Sequence, residues 1–216
     1  CRSLTEATIP ANVTAIGTHL FAGCDKLKKA ILPTTVTTIP AATFADCGQL
    51  TEVSLPTVIS AVDSAAFAGC TSLTAIDLGH NLNSIGVAAF RSSGIETVNL
   101  AESASLKSIG AWAFADCASL ATAQIPDGVS SIGEGAFFND AVLASTNFPT
   151  SATRIEDYTY NGAAHLDATN LSHPAISSIG DYALRGMAEA TKYDIPSNLE
   201  SIGDYAMEDW KSLQEM

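Results

Sequence analysis

Cysteine is the residue whose chemistry and spacing raise the first question. Cys1, Cys24, Cys47 and Cys70 recur at intervals of 23, and Cys117 keeps the beat after one omission. A thiol can ligate zinc, form a disulfide or attack an electrophile, and each use has its own surroundings and spacing. No Cys-x-x-Cys pair is present, so zinc-finger spacing is not met. Cysteines one repeat apart in a stacked chain have Cα atoms about 5 Å apart, close enough for a disulfide. Their side chains point the same way, however, which suits the bridge dihedral poorly. Positions that continue the count hold Ala163, Met187 and Trp210. Exchange among Cys, Ala, Met and Trp describes an apolar slot, so the expectation is a column of buried structural thiols, with no metal and no cofactor.

Other catalytic candidates are sparse. His19, His80, His165 and His173 fall at unrelated positions, and none recurs with an acid or a nucleophile at a fixed offset. There is no G-x-S-x-G and no phosphate-cradling glycine loop; the Ile-Gly pairs follow the repeat and read as turns. A glycan-cleaving enzyme would need clustered carboxylates or an insertion that builds a cleft, and the sequence shows no such insertion. The expectation is a protein that is not an enzyme.

The elements that carry these residues come from the same beat. Phase points run Cys1, Cys24, Cys47, Cys70, Ser93, Cys117, Asp140, Ala163, Met187 and Trp210, in steps of 23 or 24. Three residues on sits an apolar side chain such as Leu27, Leu50 or Leu120. Eight on comes Ile9, Leu32, Leu55 or Ile125, usually followed by proline, and fifteen on comes Ile16, Ile39, Val62 or Ile132. The unit reads C-x-x-L-x-x-h-x-h-P-x-x-h-x-x-I-G-x-x-A-F-x-x. Its first part alternates as a short strand stopped by proline, and its second is a short extended piece with a glycine turn. Ala-Phe-x-x-Cys suits a single helical or 3₁₀ turn that plugs phenylalanine into the core. Gly94-Ile95 lacks one residue, while Ala101 to Ser105 and Ser172 to Ala175 carry extra ones, as tolerated in loops. No unit can bury its apolar side alone, so neighbours must stack into a parallel sheet, about nine steps and on the order of 45 Å long. The repeat leaves no window for a second domain in residues 1–216.

Composition narrows the partners. Apolar residues at 47% against 15% charged describe a folded chain, and no apolar run is long enough to span a membrane. This segment shows no basic and apolar leader of the signal-peptide kind. A net charge of −13 argues against nucleic acid, which needs clustered Lys and Arg. The charge is uneven: residues 1–108 hold 8 acidic and 6 basic side chains, residues 109–216 hold 15 and 4. The second half is an acidic solvated face or a docking surface for something basic.

The pattern L-x-x-h-x-L-P-x-x-h-x-x-I-G-x-x-A-F-x-x-C resembles the BspA-like, or Treponema pallidum type, leucine-rich repeat. LTEVSLPTVISAVDSAAFAGC and LATAQIPDGVSSIGEGAFFND follow it at nearly every position. The likeness spans the chain, with looser copies after Ile155, where Phe gives way to Tyr160, Leu184 and Met207. It implies an α/β, mostly β, leucine-rich-repeat solenoid of right-handed curvature with its parallel sheet on the concave face. It further implies a secreted or cell-surface bacterial adhesion protein that binds a protein ligand, such as host extracellular matrix or another cell surface. The family has no shared catalytic residues to carry over. A structural spacer presenting another domain is the alternative, and a carbohydrate-active solenoid enzyme the last.

Two columns are binding candidates. Four residues after each strand leucine, an outward column holds Thr8, Ile31, Ser54, Asp77, Asn99, Gln124, Asn147, Asn170 and Asp194. It reads as a concave binding surface or as solvated strand residues. Beside it Glu6, Lys29 and Glu52 alternate in charge, which favours in-register stacking. Preceding the Ala-Phe dipeptide, a second column holds Trp112, Tyr158, Tyr182 and Tyr205, with Asp157, Asp181 and Asp204 beside the tyrosines. Amphipathic aromatics suit an interface, and they also cover turns. Stacked carboxylates repel, and would accept Ca²⁺ or a basic partner. The segment begins at a phase point and ends at Met216, partway into another strand, without polar caps, so the expectation is a piece of a longer protein whose flanking sequence covers its ends.

Overall fold

Each 23-residue unit makes one turn of a coil, and three short stretches of it face the equivalent stretches of the next unit. The computed structural model describes residues 1–216. It contains β1 (Glu6–Thr8), β2 (Lys29–Ile31), β3 (Thr38–Ile39), β4 (Glu52–Ser54), β5 (Ala61–Val62), β6 (Ser84–Ile85) and β7 (Thr97–Asn99). The second half adds β8 (Ser108–Ile109), β9 (Thr122–Gln124), β10 (Ser131–Ile132), β11 (Ser145–Thr146), β12 (Arg154–Ile155), β13 (Ser178–Ile179) and β14 (Ser201–Ile202). Every pair is parallel, and partners lie 23 to 25 residues apart, as Glu6 with Lys29, Ser84 with Ser108 and Thr97 with Thr122. The result is a parallel β-solenoid of about nine turns with no α-helix.

Two sides of the coil carry these strands. First-strand sheets are β1-β2-β4 and β7-β9-β11; second-strand sheets are β3-β5-β6-β8-β10 and β12-β13-β14. Their breaks are staggered, so one side always runs on where the other is interrupted. The first break falls at Ala75–Asp77, which makes no backbone hydrogen bond. It coincides with the missing residue at Gly94-Ile95, which shifts the next unit. Gly94 is squeezed so close to the preceding turn that a Cβ would meet the Thr71 carbonyl.

The third side departs from the expectation of a helical turn. In Ala42–Cys47, alternate amides point to alternate partners. Ala42, Phe44 and Asp46 donate to Ser64, Ala66 and Ala68 of the next unit; Thr43, Ala45 and Cys47 donate back within their own turn. Ala42 and Asp46 hold left-handed φ values of 53° and 58°, and the equivalent positions do the same along the chain. Left-handed residues break a helical run. They do so here because the stack needs every second amide aimed at its neighbour.

One core runs through the coil. Phe21, Phe44, Phe67, Phe90, Phe114, Phe137 and Tyr160 stack in one file, with centroids 5.2–5.5 Å apart and planes within 20°. Leu27, Leu50, Leu73, Leu120 and Leu143 are fully buried beside them. The aromatic spacing follows the strand spacing, since one residue per turn is all each side chain can offer its neighbour.

Candidate binding surface

Strand register sets the outward column. Thr8, Ile31 and Ser54 are direct partners, as are Asn99 and Gln124, and all five are exposed while alternate residues such as Ala30 and Val98 point inward. Lys29 Nζ meets Glu52 Oε1 at 2.6 Å, the cross-strand pairing expected from the alternating charges. Both side chains are well exposed, so the pair fixes register more than it adds stability.

The column is not uniform. Asp77 lies in the unpaired stretch and Asn170 in a 3₁₀ helix, Ala168–Leu171, that replaces the strand of its unit; neither sits on a strand as the repeat suggested. Asp167 caps that helix, accepting from the Thr169 amide at 3.0 Å. Asn147 is half-buried, and its side chain accepts from the Ile125 amide at 3.0 Å and donates to the Ile125 carbonyl at 2.7 Å. It stands in for the backbone ladder where β11 ends, which leaves it little to offer a partner. Asp194 is exposed and pairs with Lys192 at 3.1 Å. The longer loop at Ala101–Ser105 separates two shallow depressions. One, of about 210 Å³, is bordered by Asp77, His80, Asn99 and Glu102; the other, of about 400 Å³, by Gln124, Asp127 and Asn147. The extra loop residues therefore shape the surface, although sequence reading found no cleft-building insertion.

The aromatic column forms a continuous strip on another flank. Tyr158 stacks on Tyr182 and Tyr182 on Tyr205, each pair at 5.0 Å, and Trp112 lies 6.3 Å from Tyr158. Phe138, missed in the sequence, joins them edge-on to Trp112 at 5.4 Å and to Tyr158 at 6.4 Å. Its signal was the doubled phenylalanine of GAFFND, where only Phe137 follows the core pattern. Gly135 holds the column position between Trp112 and Tyr158 because the Trp112 ring fills the space a side chain would need; a Cβ there would come within 2.4 Å.

Tyr158, Tyr182, Tyr205 and Trp112 all adopt left-handed φ, 55° to 59°. For a bulky side chain that conformation costs about 1–2 kcal/mol. Ring stacking returns about 0.5–1.5 kcal/mol per pair. Ala42, Ala65 and Ala88 hold the same conformation at the equivalent position and bear the same cost, so stacking is what the rings add over alanine. Arg91 lies over the Trp112 ring at 6.0 Å and Arg185 over Tyr182 at 5.7 Å. Packing between its neighbours raises the Tyr182 phenol, first by desolvation and then by Tyr205 and Tyr158.

The acids beside the tyrosines are not free carboxylates repelling one another. Asp157 Oδ1 accepts from the Asp181 amide at 3.0 Å, and Asp181 Oδ1 from the Asp204 amide at 2.7 Å. Each caps the next turn, and Asp157 Oδ1 also pairs with Arg154 at 3.3 Å. No three acidic, histidine or cysteine side chains converge as a cation would require, so the structure gives the Ca²⁺ reading no support.

The cysteine column is structural in detail. All five thiols are free, and all but Cys1 are buried. Cys47, Cys70 and Cys117 donate to the carbonyls of Phe21, Phe44 and Phe90, each at 3.1 Å, and Trp210 uses its indole N–H on Leu184 in the same way. Burial pushes Cys47 up to about 11 and Cys117 up to about 12, which removes the thiolate that reactivity needs. Asp140 occupies the same slot, fully buried. Its Oδ1 accepts from the Cys117 amide at 2.8 Å, and its Oδ2 has no partner.

Comparison with known proteins bears on this architecture. The BspA type leucine rich repeat region matches in six copies over residues 1–106 and 102–214. No curated protein is similar to the chain. Among solved structures, a leucine-rich repeat protein from Bacteroides ovatus is 28% identical with a TM-score of 0.83, covering 92% of this chain and 53% of its own. This chain thus spans about half the length of that protein. A leucine rich cell surface protein from Faecalibacterium prausnitzii has 24% identity and a TM-score of 0.57, covering 100% of this chain and 73% of its own. The T. pallidum leucine rich repeat protein has 23% and 0.55, covering 97% and 78%. The last two share the fold. A 23-residue beat, parallel in-register ladders, a phenylalanine file and a family match across almost every residue have one common source: the chain belongs to the BspA-type leucine-rich repeat family.

Proposed function

We propose that this solenoid is the binding part of a cell-surface or secreted bacterial protein that mediates adhesion or protein–protein binding without catalysis. The observation that carries the reading is the exposed column Ser54, Asp77, Asn99 and Gln124, of which Ser54, Asn99 and Gln124 are set by strand register and Asp77 lies in the unpaired stretch between them, beside two depressions. Stacked repeats offer a long surface of small polar contacts and no deep pocket, which suits a macromolecule better than a small substrate. The surface location is supported by the family likeness and by the Faecalibacterium protein of the same fold, which is described as a cell surface protein.

The test is binding of the chain to a panel of immobilised extracellular-matrix proteins, before and after joint substitution of Ser54, Asp77, Asn99 and Gln124 by alanine. Asn147 is left intact because its side chain holds the ladder. At least a tenfold loss of affinity, with an unchanged melting temperature, is the expected result. Undiminished binding would remove the function from this face, and no binding to any member would favour a spacer.

A further inference from the structure

We infer that the gap in the ladder of first strands is a site for an extended peptide, bound by its backbone and by one small apolar side chain. The inference rests on the binding reading above and names its partner class. No amide or carbonyl of Ala75–Leu78 has a hydrogen-bond partner in the protein. Before them the Glu96 amide donates to the Thr74 carbonyl at 3.0 Å, and after them Ser103 Oγ donates to the Gly79 carbonyl at 3.2 Å. Between those two fastenings the turn makes no bond to β7. At the equivalent position in other turns the amide is used: Ile9 donates to Ile31 at 3.0 Å, Leu32 to Ser54 at 3.1 Å and Leu100 to Gln124 at 2.9 Å. Leu78, itself buried, donates to nothing.

The depression of about 210 Å³ lies against this gap, bordered by Ile76, Leu78 and His80 on one turn and by Thr97, Asn99 and Glu102 on the next. A slot of about 10 Å³ extends between Ile76 and Val98 to Phe90 and Phe114 of the aromatic file. The two spaces share Ile76, Leu78, Thr97 and Asn99, so the slot opens from the depression. A volume of that size holds about one water-sized group. Its lining is mainly apolar, so a methyl group suits it, and a water, short of polar partners, does not.

Together the two features select the occupant. Unmet N–H and C=O groups that alternate along a chain match another extended backbone, as when a peptide adds to a sheet. Saccharide hydroxyls carry no such alternation of donors and acceptors. Every second side chain of an extended peptide falls on the same face, so one of them enters the slot, where alanine fits and larger side chains are crowded.

The experiment titrates the intact chain with end-blocked pentapeptides Ser-Thr-X-Thr-Ser, X being Gly, Ala or Val, followed by the backbone amide resonances of the isotope-labelled protein. The Ala peptide is expected to bind about fourfold more tightly than the Gly peptide, from one buried methyl, and more tightly than the crowded Val peptide. Methylating the amide nitrogens of the Ala peptide should weaken it about fivefold, the worth of one hydrogen bond. Shifts should centre on Ala75–Leu78 and Val98–Leu100. Val98→Ala widens the slot and should reverse the order of the Ala and Val peptides; the wild-type series decides alone where that variant does not fold. Equal affinity across the series, indifference to amide methylation, or shifts confined to another part of the chain would overturn the inference. Matrix proteins that bind through the polar column while no peptide binds would overturn it too and leave the broader reading standing. Peptide binding at this gap with no matrix protein bound would support the site and remove only matrix adhesion.

Discussion

Replacing Asp140 should make the protein more stable at neutral pH and remove a specific pH dependence. Asp140 sits in the column where thiols and an indole donate to a carbonyl 26 or 27 residues earlier. Its second carboxyl oxygen is buried without any partner, so a charge there is uncompensated and the neutral acid is favoured. Burial pushes its pKa from an ordinary 3.8 up to about 9; the Cys117 amide pulls it back, and the nearby Asp116 adds to the rise. A folded pKa above the unfolded one means that the native state holds an extra proton. Its contribution is intact below about pH 4 and is lost as pH climbs toward 9. Between pH 5 and 7.5 the slope of about 1.4 kcal/mol per pH unit gives a loss of about 3 kcal/mol. With a urea m-value on the order of 2–3 kcal/mol/M, the unfolding midpoint should fall by about 1 M. Asp140→Asn keeps the acceptor for Cys117 and carries no charge at any pH, so its midpoint should barely move over that range and exceed wild type at pH 7.5. Urea unfolding followed by circular dichroism at pH 5, 6 and 7.5 measures both. A wild-type slope equal to that of the Asn variant would refute the buried, protonated carboxyl.

Thiol titration with an aromatic disulfide reagent at pH 8 should find one reactive cysteine in the native protein, Cys1, and five after denaturation. More than one native thiol would contradict the sealed column. Gly135→Ala should cost about 1–2 kcal/mol, from a left-handed φ of 57° and a Cβ driven into the Trp112 ring, and should shift Trp112 emission. Adding Trp112→Ala should recover the steric part alone. A Gly135→Ala variant with unchanged stability and emission would show that the ring does not occupy that space.

The repeat made much of this molecule legible. A period of 23 residues with fixed apolar offsets is enough to give parallel, in-register stacking, a phenylalanine file and an apolar cysteine slot, because identical units offer one another the same side chain at the same height. Glu6, Lys29 and Glu52 also announced their register through charge. Other features depend on reach between turns, which no linear spacing records. Sequence could not show that Asn147 completes the ladder at Ile125, or that Asp157 and Asp181 cap the next turn. Nor could it show that the third side would alternate its amides through left-handed residues, since Ala, Trp and Tyr have no such preference in isolation. Phe138 joined the aromatic strip only because Gly135 leaves room for the Trp112 ring beside it. Local pattern determined which residues repeat; the offset of one turn on the next decided which backbone groups and rings each side chain meets.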